Sequence, residues 1–287
     1  ERIPQILKRF RQSVLSAAVS GKLTEEWRER NGIVDRWEET TLGESLELLD
    51  QGWSPKCENF PSKSEEIWGV IKTTAVQHME FFPEENKQLP KTLLPDPQFE
   101  VRIDDILITR AGPRVRVGVC CHVKKTRTRL MICDKVYRMR TRRHIALPGF
   151  IELLLNTYDR LEEIEGMKTG ISDSGVNLTQ AKIKAIIFSI PKINEQEEIL
   201  RLTSKLFAVA DKIEARYNKA KAQLDKLPQS LLAKAFRGEL VPQDESDEPA
   251  SLLLERIHQG NPAKPGKARK PRGYKMGVEP LSMAAEQ

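Results

Sequence analysis

Apolar residues recur at Ile199, Leu202, Leu206, Val209 and Ile213, spaced three, four, three and four. So narrow a stripe is the seam of a coiled coil, since a helix lying on a globular core shows a broader face. Arg216 interrupts the seam, and Ala220, Leu224, Leu227 and Leu231 resume it after a stutter-like offset. Asn194, with Glu197 three residues on, predicts a capped start. Pro228 lacks a backbone donor and predicts a kink or an end. A helix from Asn194 to Leu227 would be about 50 Å long and would call for a partner helix. The other reading is a long helix lying along its own globular domain.

Upstream the periods change. Ile6, Phe10, Val14 and Ala17 or Ala18 share one face of a short helix over residues 3–21. A polar connector follows to residue 38. Short β-branched runs at 67–71, 106–108, 115–123 and 130–139 predict strands, and residues 82–98, with four prolines, predict an irregular loop. Residues 150–163 predict a helix, 167–178 a glycine-containing loop, and 179–188 a short helix capped by Thr179. The fold class expected is therefore α+β: a globular mixed domain at 39–190 and a long helical spacer, an antiparallel coiled coil, at 191–240. Residues 1–38 and 241–287 flank them, the last carrying a helical turn or two and a basic, flexible tail from 260.

The end of the long helix has a copy. Residues 7–24 and 224–241 align at a constant offset of 217 with seven of eighteen positions identical, among them Gln12/Gln229, Ala18/Ala235 and Gly21/Gly238. Both read as the last turns of a helix with Gly just past the end. Two distant copies point to a duplicated protein of which this chain is the back half, beginning at the tail of a first long helix.

Charge sharpens the picture. The chain carries a net +6, yet residues 101–143 hold thirteen Lys or Arg against three acids, a local +10 that leaves −4 for the rest. A basic block inside a folded stretch is the footprint of a phosphate-tracking surface. Four cysteines without a CxxC pair argue against a disulfide framework or zinc ribbon and fit the reducing cytoplasm. No apolar run approaches the twenty residues of a membrane span. No GxG occurs, which excludes the dinucleotide fingerprint, and Gly170–Gly175 has a phosphate-loop spacing without its Lys-Ser/Thr. Cys120, Cys121 and His122 are adjacent, so on a strand Cys121 would face away from the other two. No catalytic residue and no metal site is read here.

Candidate binding residues cluster instead. Thr109, Arg110, Arg114 and Arg116 surround a Gly-Pro turn, where guanidinium groups could pair with phosphate or guanine; a solvated hairpin is the other reading. Lys124, Lys125 and Arg127 form a basic loop suited to phosphate contacts, or simply a hairpin tip. Lys168, Thr169 and Ser172 and, similarly, Lys72, Thr73 and Thr74 offer cations and hydroxyls to a phosphate.

These same segments resemble the specificity subunit of type I restriction–modification systems. The resemblance runs from about residue 3 to 257 through QSVLSAAVSGKLTEEW, TTLGE, IWGVIKTTAV, ENKQLP, DDILITRAGPRVRVGVCC, RLMICDKVYRMR, KTGISDSGVNLTQAKI, IPKINEQEEIL and QSLLAKAFRGELVPQD. It implies a DNA target recognition domain at 39–190 reading one half of a split sequence. It also implies that conserved helices at 3–24 and 191–240 pack together, set the spacing and dock the modification subunits and, through them, the restriction subunits. S-adenosylmethionine, ATP and Mg would belong to those partners, not to this chain. A first recognition domain and most of a first helix have no counterpart here. The seam residues Ile199, Leu202, Leu206, Val209, Ile213, Ala220 and Leu224 would then pair with another helix, in isolation that of a second copy. A coiled-coil adaptor whose basic surface binds RNA or an acidic protein is the alternative function.

Overall fold

The computed structural model describes residues 2–34, 36–170, 172–241, 246 and 248–260. It divides into two compact units, residues 1–221 and 222–287. The first unit opens with α1 (Arg2–Val19) and α2 (Glu25–Arg30). Next come β1 (Glu38–Thr41), the single turn α3 (Leu42–Ser45) and β2 (Leu46–Gln51). An irregular stretch leads to β3 (Gly69–Ile71), β4 (Val76–Gln77), β5 (Glu80–Phe81) and β6 (Asn86–Gln88). They are followed by β7 (Ile106–Thr109), β8 (Ala111–Gly112), β9 (Cys120–His122), β10 (Leu130–Met131) and β11 (Val136–Thr141). Helices α4 (Pro148–Leu155) and α5 (Tyr158–Met167), β12 (Val176–Asn177), α6 (Gln180–Lys184) and β13 (Ile187–Ile190) lead into α7 (Ile193–Phe236). The second unit holds the end of α7 and α8 (Ala250–Gly260). No helix among the described residues is long and apolar enough to cross a membrane.

The centre of the first unit is a four-stranded antiparallel sheet in the order β2-β11-β7-β9. Cores lie on both of its faces, which is why the central strand β7 reads as a continuous apolar run. Ile106, Ile108, Cys120, Tyr137 and Met139 face a helical core with Phe150, Ile164, Ile183 and Ile199. Their neighbours Leu107, Cys121 and Val136 face a second core built on the small sheet β10-β3-β6. The alternation follows from the two-residue period of a strand. Arg138, 2% exposed, is tolerated on the second side because Asp50 and the carbonyls of Gln98 and Glu100 take up its guanidinium. The antiparallel pair β1–β13 ties residue 38 to residue 190.

The stretch from α1 to α2 runs opposite to α7: Arg11 on α1 meets Asp211 and Glu214, whereas Arg28 on α2 meets Glu195. The start of α7 is held by side chains that hydropathy cannot flag. Gln196, fully buried, accepts from Leu147 N–H and donates to the carbonyls of Ile145 and Pro191, each at 2.8 Å. Glu195 accepts from Thr24 Oγ1 and Arg28 Nη1, both at 2.6 Å. The IPxxxEQ pattern at 190–196 is thus a structural clamp.

Several sequence expectations are corrected. α1 buries Leu7, Val14, Leu15 and Ala18, while Ile6 and Phe10 are exposed, so the core face is rotated from the expected one. α7 starts at Ile193 and continues through Pro228 to Phe236; the residues around Pro228 are exposed, so water can serve the carbonyl the proline leaves free. The 150–163 helix is two helices, broken where Asn156 donates to the carbonyls of Glu152 and Cys120 and Thr157 to that of Leu154. The 115–123 strand shrinks to Cys120–His122, because Arg116 and Val117 fold back on Pro113 in a turn. The 130–139 strand is broken in two by the Cys133–Val136 turn. The basic tail lies outside the described residues.

Candidate nucleic-acid interface

A cleft of about 760 Å³ opens beside the second core. One wall is Ser54–Cys57 and Asn59, from the irregular stretch after β2. Gly52 fixes where that wall starts: a Cβ there would lie 1.8 Å from the Ile132 carbonyl oxygen, so only glycine lets the backbone pass. The wall is then stapled across the cleft by Ser54 and Asp134, and Trp53 N–H donates to the Ile132 carbonyl. The other walls are β3 running into Lys72–Thr74, Lys87 on β6, and the Cys133–Lys135 turn.

The lining holds Lys56, Lys72, Lys87 and Lys135 against two carboxylates, Glu85 and Asp134. Glu85 lies between Lys72 Nζ (2.7 Å) and Thr74 Oγ1 (2.5 Å), and these two hydrogen bonds, Lys72's the larger influence, hold it below the usual carboxylate range. Lys56, Lys87 and Lys135 are exposed and, among the described residues, have no carboxylate partner. Cys57 also lines the cleft; burial pushes its thiol up, outweighing the pull of Lys87, so it is no ready nucleophile. A groove with unpaired lysines, hydroxyls and an amide suits a polyanion held at several phosphates.

The expected binding residues fall into different environments. Lys72, Thr73 and Thr74 line the cleft. Arg110 stands behind it, donating from Nε to the Asp134 carbonyl at 2.7 Å with its guanidinium 5.4 Å from the Tyr137 ring centre. Thr109 is fully buried and bonds to Arg116 O and Val119 N, so it does not face a ligand. Arg116 likewise is spent inside, donating to the carbonyls of Thr73 and Val76 at 2.6 Å and to Gln77 Oε1. It therefore shapes the Thr73–Gln77 turn that lines the cleft. Arg127 ties the carbonyls of Ser64, Ile67 and Thr128.

Arg114 and Lys168 form a cluster that is neutral in itself. Arg114 pairs with Glu165 and Asp173 at 2.7 Å each, and Lys168 with Glu165 and the Arg114 carbonyl. Hydrogen bonds from Lys168 first and Arg114 second hold Glu165 below its ordinary value. Thr169 bridges to Asn177, and Ser172 bonds Ser174; Ile171 lies outside the described residues. Lys124 caps the buried carboxylate of Glu152 at 2.9 Å, whereas Lys125 is exposed and has no partner among the described residues. Cys120 and Cys121 face opposite cores, and no metal-binding group of His, Cys, Asp and Glu occurs among the described residues.

On α7, Ile199 belongs to the helical core of its own unit and is not free to pair with another helix. Leu202 and Leu206 are half-buried, and Val209, Ile213 and Ala220 are exposed. Leu224, in the second unit, is 65% exposed.

No protein-family model matches the chain. It is 41% identical over 184 residues to the EcoEI type I restriction enzyme specificity subunit of Escherichia coli, 64% of this chain and 31% of that one. It is 34% identical to the EcoKI specificity subunit of E. coli strain K12, over 93% of this chain and 58% of that one. With the StySPI specificity subunit of Salmonella potsdam the identity is 31%, over 90% and 56%. The chain thus spans less than two thirds of the length of these relatives. A solved structure concerned with complex assembly and conformational transition of the type I R-M system covers 84% of this chain and 56% of its own, with a TM-score of 0.52 and 18% identity, a likeness of fold. By sequence, the chain belongs to the family of type I restriction enzyme specificity subunits.

Proposed function

We propose that this chain is a non-catalytic DNA-reading module that binds duplex DNA in the lysine-lined cleft and presents it to partner methyltransferase subunits. The observation that carries the reading is the convergence of Lys56, Lys72, Lys87 and Lys135, distant in sequence, on one cleft with Thr73, Thr74 and Asn59. Three of the four lysines have no counter-charge among the described residues, so phosphate contact there would cost no ion pair of those residues. The relatives named for type I restriction enzymes support the same reading; any S-adenosylmethionine, ATP and Mg would belong to the partners. Apolar residues left open on α1 (Ile3, Ile6) and α7 (Val209, Ile213) offer a face for those partners or for a second copy.

Mixtures of the purified chain, a fluorescent random-duplex pool and a large excess of unlabelled polyanion test the proposal. A DNA reader enriches particular duplexes that survive the competitor. Loss of all binding to the competitor, or preference for RNA, would replace it with the adaptor reading.

A further inference from the structure

We infer that Asn59 is a base-reading residue of the cleft and that it selects adenine. The inference rests on the cleft being the DNA interface and concerns which of its groups carries sequence information. Lysines fix register on phosphates without distinguishing bases well, so a reader must offer a patterned donor and acceptor. Apart from the free lysines, several polar groups lining the cleft are already committed. Ser54 and Asp134 bond each other, and Glu85 is held by Lys72 and Thr74. Asn59 is exposed, lines the cleft and has no hydrogen-bond partner among the described residues. Its carboxamide presents one acceptor and two donors side by side, the complement of adenine N6–H₂ and N7 in the major groove.

The residue is also held for the task. Glu58 N–H donates to the Gln88 carbonyl at 3.0 Å, and Gln88 N–H donates to the Phe60 carbonyl at 2.9 Å, so the backbone is pinned on both sides of Asn59. Just beyond, Ser62 N–H donates to Asn86 Oδ1 at 2.9 Å. Asn86 and Gln88 are the ends of β6, whose centre, Lys87, lines the same cleft. A two-bond contact is worth most when its backbone does not have to be ordered on binding.

Selection of bound duplexes from a random pool, read base by base, tests this with the full chain and its Asn59→Ala, Asn59→Asp and Lys87→Ala variants. The wild type should favour A·T at one position by on the order of 10- to 100-fold. Asn59→Ala should flatten that position alone and leave the salt dependence unchanged. Asn59→Asp, an acceptor only, should move the preference toward cytosine, whose N4 is a donor. Lys87→Ala should weaken all sequences alike. A sequence logo unaltered by Asn59→Ala, or a loss at a G·C position, overturns the inference while Lys87→Ala still upholds the cleft. If Lys87→Ala and Asn59→Ala both leave binding untouched, the cleft reading falls with it.

Discussion

The clamp at the start of α7 makes a sharp prediction. Glu195 is 3% exposed and accepts from Thr24 Oγ1 and Arg28 Nη1, each at 2.6 Å, joining the segment after α1 to α7. Glu195→Leu removes the close acceptor of a fully buried Thr24 hydroxyl, which keeps only longer contacts to the Gly21 carbonyl (3.4 Å) and Arg28 Nη1 (3.3 Å), and strands a guanidinium whose side chain is 22% exposed. Removing one partner of a buried pair costs about 3–5 kcal/mol. The lower end, about 3 kcal/mol, applies because Arg28 can turn partly to water. Replacing both partners with apolar residues removes the stranded charge, so Glu195→Leu with Arg28→Leu should cost only about 1 kcal/mol. Urea unfolding followed by tryptophan fluorescence, to which Trp37 packed edge-on against Phe150 contributes, measures the cycle. A favourable coupling of about 2–3 kcal/mol is expected between the two positions. A single Glu195→Leu costing under about 1 kcal/mol, or a double variant as weak as the sum of the Glu195→Leu and Arg28→Leu singles, refutes the argument.

Two other outcomes follow from named contacts. Gly52→Ala forces a Cβ into the Ile132 carbonyl oxygen and should destabilise the unit by about 1–3 kcal/mol. It should also lift the Ser54–Asn59 wall, visible as faster proteolysis in that stretch and weaker DNA binding; wild-type stability would contradict it. Glu165, held below its ordinary value of 4.5 by Lys168 and Arg114, contributes stability that is present above that value and lost as pH falls through its lowered one. A carboxyl NMR titration should show that low midpoint rising in Arg114→Ala, and an unmoved midpoint would break the assignment.

Much of the scaffold was legible because burial writes itself into periodicity. The stripes of α1 and α7 and the run Ile106–Leu107–Ile108 are visible without coordinates. The face each helix buries was harder. α7 docks through Glu195, Gln196, Ile199, Thr203 and Ala210, a partly polar set, so its seam reads one step off the contact surface. The arginines near Gly112 look like a phosphate site because they are dense in sequence. In space their charge meets Glu165, Asp173 and backbone carbonyls. Of the cleft, only Lys72, Thr73 and Thr74 show in the sequence as a local cluster; Lys56, Lys87 and Lys135 stand far apart until β3 pairs with β6 on one side and β10 on the other.

The central claim is that the unpaired lysines of the cleft hold DNA phosphates. The decisive measurement is the slope of log affinity against log salt for the wild type and for the triple variant Lys56→Ala, Lys87→Ala, Lys135→Ala. Each phosphate contact contributes about 0.9 to that slope, so the variant should be shallower by about 2.7. A slope identical to the wild type's would place the DNA elsewhere on the protein.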